Sequence, residues 1–416
     1  MISLCMIVKD EAASLAHTLA SVQGSLGETI VGETIVVDTG STDDTVAIAR
    51  AHGAKVYSFD WVNDFAAARN ESLRHATGDW VLVLDADEVL LPATAQVIQA
   101  LDQGQPLGNM AAENVLAVNL LRQELGSPQA PYTLITRFFR RLPNLTFKRP
   151  YHETVDDSIA ALQAQNPRWQ VITLAEVALH HTGYDPAVVV QRGKFDRART
   201  IMEAYLADHP NDSYLLNKLA ALYVESDQAE AALPLLNRAL EQAETLDELT
   251  RYELHYHRAL AIASQPSQAA SDYQIALNLP VPPRLKLGAW INYGSLKKAQ
   301  GDFDAAVDLF QQAVESDPTL AIAHYNLGTA HRARGYLDEA IAAYRSAIAL
   351  DPNYAAAHQN LAVALFKLGQ LPEALQAFQQ AIALYDAIDP ATAASLRQGV
   401  TKLGIPPKLL AQAGLM

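Results

Sequence analysis

Continuous apolar runs that end in acidic residues recur in the first quarter of the chain. The clearest is WVLVLDADE at residues 80–88, in which five apolar residues precede Asp85 and Asp87. Because every residue of the run is apolar, we predict a strand buried on both faces, as in a parallel sheet covered by helices. Further buried strands are predicted at residues 2–8, 33–38 and 54–59.

Segments with helical spacing separate these strands. In residues 11–22, for example, Leu15, Leu19 and Val22 fall on one helical face. Strands that alternate with helices predict an α/β domain with a doubly wound, Rossmann-like, mostly parallel sheet. The carboxyl ends of parallel strands lie at one edge of such a sheet, so acids that follow three strands should share a crevice. These acids are Asp10, Glu11, Asp38, Asp85 and Asp87.

The acids at 85 and 87 are suited to binding a divalent cation. Carboxylate oxygens are ligands that Mg²⁺ and Mn²⁺ prefer, and such an ion commonly shares its other positions with substrate phosphates. The crevice also suits ribose hydroxyls and a base N–H. Neither a GxGxxG nor a GxxxxGK[ST] phosphate loop occurs in the sequence.

Residues 115–121 and 132–139 predict two more strands, antiparallel to each other, that flank the crevice. A basic cluster lies in and after the second of them. It offers two alternatives: it offsets diphosphate charge or receives an acidic acceptor, or it is a solvated strand edge blunted by charge. Its members are Arg137, Arg140, Arg141, Lys148 and Arg149.

The second half of the chain repeats with a period of 34 residues. Asn292, Asn326 and Asn360 are 34 residues apart, and small and aromatic positions follow the same step. This is the tetratricopeptide (TPR) pattern of stacked helical hairpins, which predicts an all-α superhelix. Less regular copies before residue 287 bring the array to about five repeats and a fragment. Such an array offers a surface for a protein segment or for self-association into a homodimer.

Composition narrows the possible partners. The 416 residues carry a formal net charge of −15, which argues against a nucleic-acid-binding surface and a polybasic membrane anchor. The single cysteine, Cys5, excludes an intrachain disulfide and fits a reducing compartment. The first residues show neither a basic leader nor a cleavage site, and no apolar run has the length of a membrane span. We therefore expect a cytoplasmic protein.

Four stretches in order resemble the family 2 glycosyltransferases of GT-A fold. They are residues 3–11 (SLCMIVKDE), 36–43 (VVDTGSTD), 68–73 (ARNESL) and 85–88 (DADE). Residues 59–65 (FDWVNDF) resemble a narrower branch that often carries TPR repeats and includes the bacteriocin peptide S-glycosyltransferases. The resemblance implies a UDP-sugar donor, a divalent metal (Mn²⁺ or Mg²⁺), and an inverting reaction.

The same resemblance assigns roles to individual residues. Val8 and Glu11 would line the base pocket and Asp38 would contact uracil or ribose. Arg69 and Asn70 would face the nucleotide. Asp85 would reach the ribose or the sugar. Asp87 would bind the metal that bridges the diphosphate.

Later residues complete the expected site. An inverting reaction needs a base near the acceptor, and Glu153 is our candidate, with His152 as the alternative. Related metal-dependent enzymes supply a histidine ligand from this end of the domain, so His181 is expected to bind the metal, ahead of its neighbour His180. We expect Trp61 and Phe65 to pack in the core rather than to stack on sugar.

The predicted organisation is a GT-A domain at 1–183, a TPR array at 184–386 and a capping helix at 387–416. The predicted function is transfer of a sugar from a UDP-sugar to an acceptor recruited by the repeats, a peptide or protein. One alternative is a glycan or envelope-polysaccharide glycosyltransferase whose repeats dimerise. The others are a non-catalytic TPR scaffold and a nucleotidyltransferase, although the latter would need a Gly/Arg/Lys-rich loop after the first strand.

Overall fold

The fold was analysed on a computed structural model that describes residues 1–27, 30–127, 129–182 and 194–415. The chain divides into two compact units. The first comprises Met1–Ser127 and Pro131–His257, and the second comprises Pro128–Ala130 and Arg258–Met416.

The first unit contains a mixed sheet to which eight strands of the described ranges belong. Their spatial order is β3-β2-β1-β4-β7-β6-β8-β5. The first four strands in the chain are mutually parallel where they pair, whereas β7 is antiparallel to both β4 and β6. The strands are β1 (Ile2–Val8), β2 (Val31–Asp38), β3 (Lys55–Ser58), β4 (Trp80–Val83), β5 (Glu88–Leu90), β6 (Val115–Glu124), β7 (Tyr132–Arg140) and β8 (Gln170–His181).

Helices cover both faces of this sheet, as the uniformly apolar strands predict. Leu15 and Leu19 of α1 and Ile98 of α4 pack on one face, and Ala66 of α3 and Ile159 of α5 pack on the other. The α/β fold class is therefore confirmed. The helices of the sheet region are α1 (Leu15–Leu26), α2 (Thr45–Ala51), α3 (Phe65–His75), α4 (Pro92–Asp102) and α5 (Asp156–Gln165).

The strand that carries part of the basic cluster lies inside the sheet. β7 pairs with β4 on one side and β6 on the other, so the solvated-edge interpretation of the cluster is wrong. Arg140 donates from Nε to the Val115 carbonyl at 2.7 Å and stacks on Trp80, and Arg141 donates to the Gly78 carbonyl. Arg140 and Arg141, two of the five members of the cluster, thus stabilise the backbone.

A buried carboxylate ties β2 to its neighbours. Glu33 accepts hydrogen bonds from the Ser3 hydroxyl at 2.7 Å, the Thr77 amide at 2.6 Å and Lys55 Nζ at 2.8 Å. Burial alone would raise the pKa of Glu33, but the hydrogen bonds from Lys55, Ser3 and Thr77 lower it to about 2. The folded state therefore keeps this carboxylate charged.

We expect the first unit to lose stability in acid through Glu33. Its folded-state pKa is depressed, so the contribution is full above pH 4.5 and is lost as the pH falls towards 2. The contribution is about 3 kcal/mol at neutral pH. Denaturant titrations at pH 7 and pH 3 should show that stability falls less between these pH values in Glu33→Gln than in the unmodified protein, because the contribution of Glu33 is gone. An unchanged dependence would contradict the assignment, and Glu176→Gln, an exposed acid on β8, is the control.

Paired helices follow the sheet region. In the first unit these are α6 (Lys194–Asp208), α7 (Ser213–Glu225) and α8 (Ala229–Leu240), and α9 (Glu248–Ala261) ends in the second unit. The second unit continues with α10 (Pro266–Asn278), α11 (Leu287–Ala299), α12 (Phe303–Ser316), α13 (Ala321–Arg334), α14 (Leu337–Leu350), α15 (Ala355–Lys367), α16 (Leu371–Ile388), α17 (Pro390–Thr401) and α18 (Pro407–Gln412).

The 34-residue period has a packing cause. A Cβ atom on Gly294 would lie 2.7 Å from the ring of Phe310, and one on Gly328 would lie equally close to Tyr344. The missing side chain lets the two helices of a hairpin approach closely, and the aromatic ring fills the space between them. Phe310 and Tyr344 are accordingly fully buried. The predicted TPR architecture is confirmed.

The sequence analysis also predicted a domain boundary and a C-terminal capping helix. The predicted boundary between residues 183 and 184 lies outside the described residues. Residues 387–415 contain the end of α16 and the two short helices α17 and α18.

In the ranges that the structure covers, no helix combines the length and the apolar character needed to cross a membrane.

Candidate active site

A cavity of about 640 Å³ lies at the carboxyl ends of β1 and β4, which are parallel neighbours in the first unit. Residues 7–11 line it from the end of β1, and Asp85, Ala86 and Asp87 line it from the end of β4. This is the edge at which α/β sheets bind ligands, and the volume suits a small-molecule substrate.

Asp87 and His181 meet in this cavity. β5 pairs antiparallel with β8, and the register sets Glu88 opposite His181. As a result, Nε2 of His181 lies 3.2 Å from Oδ2 of Asp87, while Nδ1 lies 2.5 Å from Oε2 of Glu124. Burial lowers the pKa of His181, but the hydrogen bonds to Asp87 and Glu124 outweigh it and raise the pKa to about 9.

The pair fits a divalent metal that is completed by substrate. A bound metal would displace the proton from Nε2 of His181, and the ring, which would still donate its Nδ1–H to Glu124, would then present Nε2 as a ligand, the arrangement found at protein metal sites. Asp87 adds a carboxylate oxygen. Within the described ranges, no group of three or more His, Cys, Asp or Glu side chains is placed to hold an ion by itself. The remaining positions would fall to substrate oxygens and water, as is common for Mg²⁺ and Mn²⁺.

Asp85 is held between two arginines. Its Oδ1 accepts from Arg69, and its Oδ2 accepts from Nη2 of Arg137 at 2.8 Å. Burial would raise the pKa of Asp85, but the charges of Arg137 and Arg69 hold it well below its usual range. Nη1 of Arg69 is buried and has no hydrogen-bond partner among the described residues.

The ion pairs continue beneath the cavity as a network. Arg122 donates to Oε1 of Glu88 and Oε1 of Glu124, both at 2.7 Å, and Glu124 holds His181. With Asp85, Asp87 and Glu153 the network has five carboxylates, but only three arginines. Two negative charges therefore remain when His181 is neutral, and a divalent cation would balance them.

Glu153 lies in the same cavity and is tied to Asp85 through Arg69. Its Oε1 accepts from Nε of Arg69 at 3.0 Å, and its Oε2 has no hydrogen bond within the described part of the chain. The neighbouring His152 also lines the cavity, where its side chain is exposed. His152 has a φ of 52°, a left-handed conformation that is uncommon for non-glycine residues.

The residues expected to bind the nucleotide divide into two groups. Val8, Glu11, Arg69 and Asp85 line the cavity. Asp38 and Asn70 do not, in the described residues. Asp38 is buried and accepts from the backbone N–H groups of residues 40 and 41 at 3.3 and 3.0 Å. Asn70 exchanges two hydrogen bonds with the backbone of Phe147.

Trp61, Phe65 and Tyr151 line one part of the cavity as an aromatic wall. The sequence analysis did not predict this wall. Trp61 and Phe65 are only partly buried, so the expectation of core packing is wrong. Phe65 contacts Tyr151 edge-on, with ring centroids 5.4 Å apart. Arg197 of α6 lies over Trp61, 4.8 Å from the ring centroid, and Tyr214 of α7 also lines the cavity.

Arg149 connects the sheet region to the paired helices of the first unit. Its Nε lies 2.8 Å from Asp212, the residue that caps the N-terminus of α7, and its other nitrogens bond Asp157. Its guanidinium also lies 4.7 Å from the ring centroid of Tyr214. Of the predicted basic cluster, Arg137 reaches the cavity and Arg149 holds α7 beside it.

Two of the site residues that the sequence analysis did not identify, Arg122 and Glu124, could have been found from their spacing. Arg122 and Glu124 alternate at the polar end of the otherwise apolar strand β6, so they share one face. This spacing indicates an ion pair between Arg122 and Glu124 on one face of the strand. Arg197 and Tyr214 lie among ordinary helical residues, and nothing local distinguishes them.

Comparison with known proteins agrees with this geometry. The Glycosyl transferase family 2 model matches residues 3–115, and TPR models match 189–249, 294–332, 328–369 and 355–386. A TPR repeat-containing protein of Synechococcus elongatus is 44% identical over 320 residues, which span 76% of each chain.

Two relatives named as glycosyltransferases match the first half of the chain. An uncharacterized glycosyltransferase of Rickettsia felis is 29% identical over 195 residues, 47% of this chain and 66% of that one. The glycosyltransferase SunS of Bacillus subtilis is 35% identical over 86 residues, 20% of this chain and 19% of that one. The chain therefore belongs to the TPR repeat-containing proteins that carry an N-terminal family 2 glycosyltransferase domain.

Proposed function

We propose that this protein is an inverting, metal-dependent glycosyltransferase that uses a UDP-sugar and an acceptor recruited by its repeats. In this proposal residues 1–183 form the catalytic domain and residues 184–386 the repeat array. The observation that carries it is the Asp87–His181 pair, which Glu124 orients and which lines a cavity of about 640 Å³. The excess negative charge of the surrounding network supports a divalent cation, Mn²⁺ or Mg²⁺.

The donor would lie along the loops after β1 and β4. Val8 and Glu11 would contact the base, and Asp85 would accept a hydrogen bond from a ribose or sugar hydroxyl. Arg69, which lines the cavity, would face the nucleotide. Asp38 would act indirectly, since it fixes the turn at residues 40–41 beside the base. A metal at Asp87 and His181 would neutralise the charge that develops on the departing diphosphate.

The chemical step is a single displacement at the anomeric carbon. A bond forms from the acceptor nucleophile to this carbon while its bond to the diphosphate oxygen breaks, and the nucleophile's proton passes to a base. Glu153 is the proposed base, since it lies in the cavity and one of its oxygens is free. His152, exposed in the same cavity, is the alternative.

The first paired helices would contribute to acceptor recognition. Arg197 and Tyr214 line the cavity together with Trp61, Phe65 and Tyr151. A peptide or protein held by the repeats could thus reach Glu153 along the aromatic wall. This contribution from α6 and α7 favours recruitment of a peptide or protein acceptor.

Calorimetric titration of UDP into the full chain tests the donor site. We expect UDP to bind at least about tenfold more tightly with Mn²⁺ than after treatment with a chelator, because the metal would join the diphosphate to Asp87 and His181. GDP and dTDP serve as nucleotide controls. Equal UDP affinity with and without metal would contradict the metal site, and binding of another nucleotide alone would contradict the uridine assignment.

A further inference from the structure

The segment between β4 and β5 carries Asp85 and Asp87, and helix α1 packs beside it. α1 places three hydroxyls on one face, because their spacing of three and four residues brings them to the same side of the helix. They belong to Thr18, Ser21 and Ser25, and all three form hydrogen bonds with backbone groups of residues 86–90. One helix therefore fixes the segment around Asp87 at both ends.

Thr18 makes the bond that lies nearest to the two acids. Its Oγ1 donates to the carbonyl oxygen of Ala86, the residue between Asp85 and Asp87, at 2.6 Å, and both residues of the bond are buried. Hydroxyls in helices often bond a carbonyl of the preceding turn, as Ser21 does to the Thr18 carbonyl at 2.7 Å. The hydroxyl of Thr18 instead reaches out of the helix to the acidic segment.

This bond fixes the backbone on one side of Asp87. The carbonyl of Ala86 belongs to the planar peptide unit that joins Ala86 to Asp87, so a partner that holds the oxygen also holds the N–Cα bond of Asp87. On the other side, the backbone N–H of Thr182 donates to the Asp87 carbonyl at 3.1 Å. Both peptide units that flank Asp87 are thus held, and this sets the direction in which its side chain leaves the backbone.

Asp85 is fixed by other contacts. The fully buried Glu88 accepts from the backbone N–H of Asp85 at 2.9 Å, and two arginines hold the carboxylate. Within the described residues, the carboxylate of Asp87 pairs only with His181. Loss of the Thr18 hydroxyl should therefore act mainly on Asp87.

We propose that Thr18 is a positioning residue for the metal site, and that it sets the affinity for the divalent cation through the Ala86 carbonyl. The inference rests on the metal site of the proposed function and adds to it a residue of α1. The proposed site has two protein ligands, Asp87 and His181, so its affinity depends on how well they are placed before the ion binds. Loss of a residue that orients metal ligands typically weakens metal binding by about 10- to 100-fold.

Electron paramagnetic resonance of free Mn²⁺, with the full chain and saturating UDP, measures the affinity for the ion. Thr18→Val keeps the shape of the side chain but removes the hydroxyl, and it should weaken Mn²⁺ binding by about tenfold. Thr18→Ser keeps the hydroxyl and should stay within about threefold of the unmodified protein. UDP affinity in the presence of a chelator should be the same in all three proteins, because the change concerns the metal.

Ser21→Ala is the matched control for the loss of a hydroxyl from α1. Ser21 accepts from the backbone N–H of Leu90 at 3.1 Å, and this bond lies in β5, beyond the acids. The control should lower the midpoint of thermal unfolding, as Thr18→Val does, but leave Mn²⁺ affinity unchanged. An equal loss of Mn²⁺ affinity in Ser21→Ala, an unchanged affinity in Thr18→Val, or failure of Thr18→Val to fold would overturn the inference.

The unmodified protein separates this inference from the proposed function. If it binds Mn²⁺ in the presence of UDP and Thr18→Val binds the ion equally well, the metal site stands and only the role of Thr18 is wrong. If it binds no Mn²⁺, the metal site of the proposed function is wrong, and the role of Thr18 falls with it.

Discussion

Replacing Asp87 by alanine is expected to abolish metal-dependent UDP binding and to lower the rate of UDP release from a UDP-sugar on the order of 10³-fold. The variant removes one of the two metal ligands, and with it the charge stabilisation of the leaving diphosphate. The side chain of Asp87 is 27% exposed and lies outside the core, so the variant should remain folded, with a modest loss of stability from the missing contact to His181.

Three measurements on the same sample separate the two roles of Asp87. Calorimetry with Mn²⁺ reports donor binding, a coupled assay reports UDP release, and thermal unfolding reports stability. Asp208→Ala, an exposed acid at the end of α6, is the matched control and should behave as the unmodified protein. If Asp87→Ala unfolds instead, or still binds UDP more tightly with metal, Asp87 is structural and the metal site is misplaced.

Glu153→Gln should lower the turnover rate by about 10²- to 10⁴-fold while UDP affinity in Mn²⁺ stays within about threefold. Glutamine keeps an oxygen that can accept from Nε of Arg69, so the neighbouring Asp85–Arg69 pair should persist. The loss would then arise from the missing base and not from donor binding. UDP release from a panel of UDP-sugars, with water as the acceptor, provides the rate.

The same assay on a His152→Gln variant distinguishes the two candidate bases. Should Glu153→Gln retain full turnover and His152→Gln lose it, the base would be His152. Glu176→Gln on β8 controls for the loss of one negative charge, since its side chain is exposed and lies outside the cavity. Parallel loss of UDP affinity and turnover in Glu153→Gln would assign Glu153 to the donor site instead.

The elements of this fold were predictable because their patterns are local. The apolar run before Asp85 can only be buried on both faces, and the structure places β4 within the sheet, between β1 and β7. The repeats were predictable for a similar reason: the small residue at Gly294 and the ring at Phe310 recur at a constant spacing that one hairpin requires. The position of Asp87 at a strand end followed from the same local pattern.

The partners of the site residues were decided by tertiary structure. His181 reaches Asp87 only because β8 pairs with β5 in one register, and Glu124 orients His181 only because β6 lies on the other side of β8. Asp38 illustrates the opposite outcome, since nearby backbone N–H groups occupy the carboxylate that the motif assigns to the nucleotide.

What the sequence by itself determined is therefore the element types, the repeat architecture and the strand ends at which acids occur. Only the tertiary structure decided which charged side chains contact one another. It also decided that Arg197 and Tyr214 line the cavity. The physical reason is range. Periodicity reports burial over a few neighbouring residues, whereas ion pairs such as Asp85 with Arg137 depend on the register between strands distant in the chain.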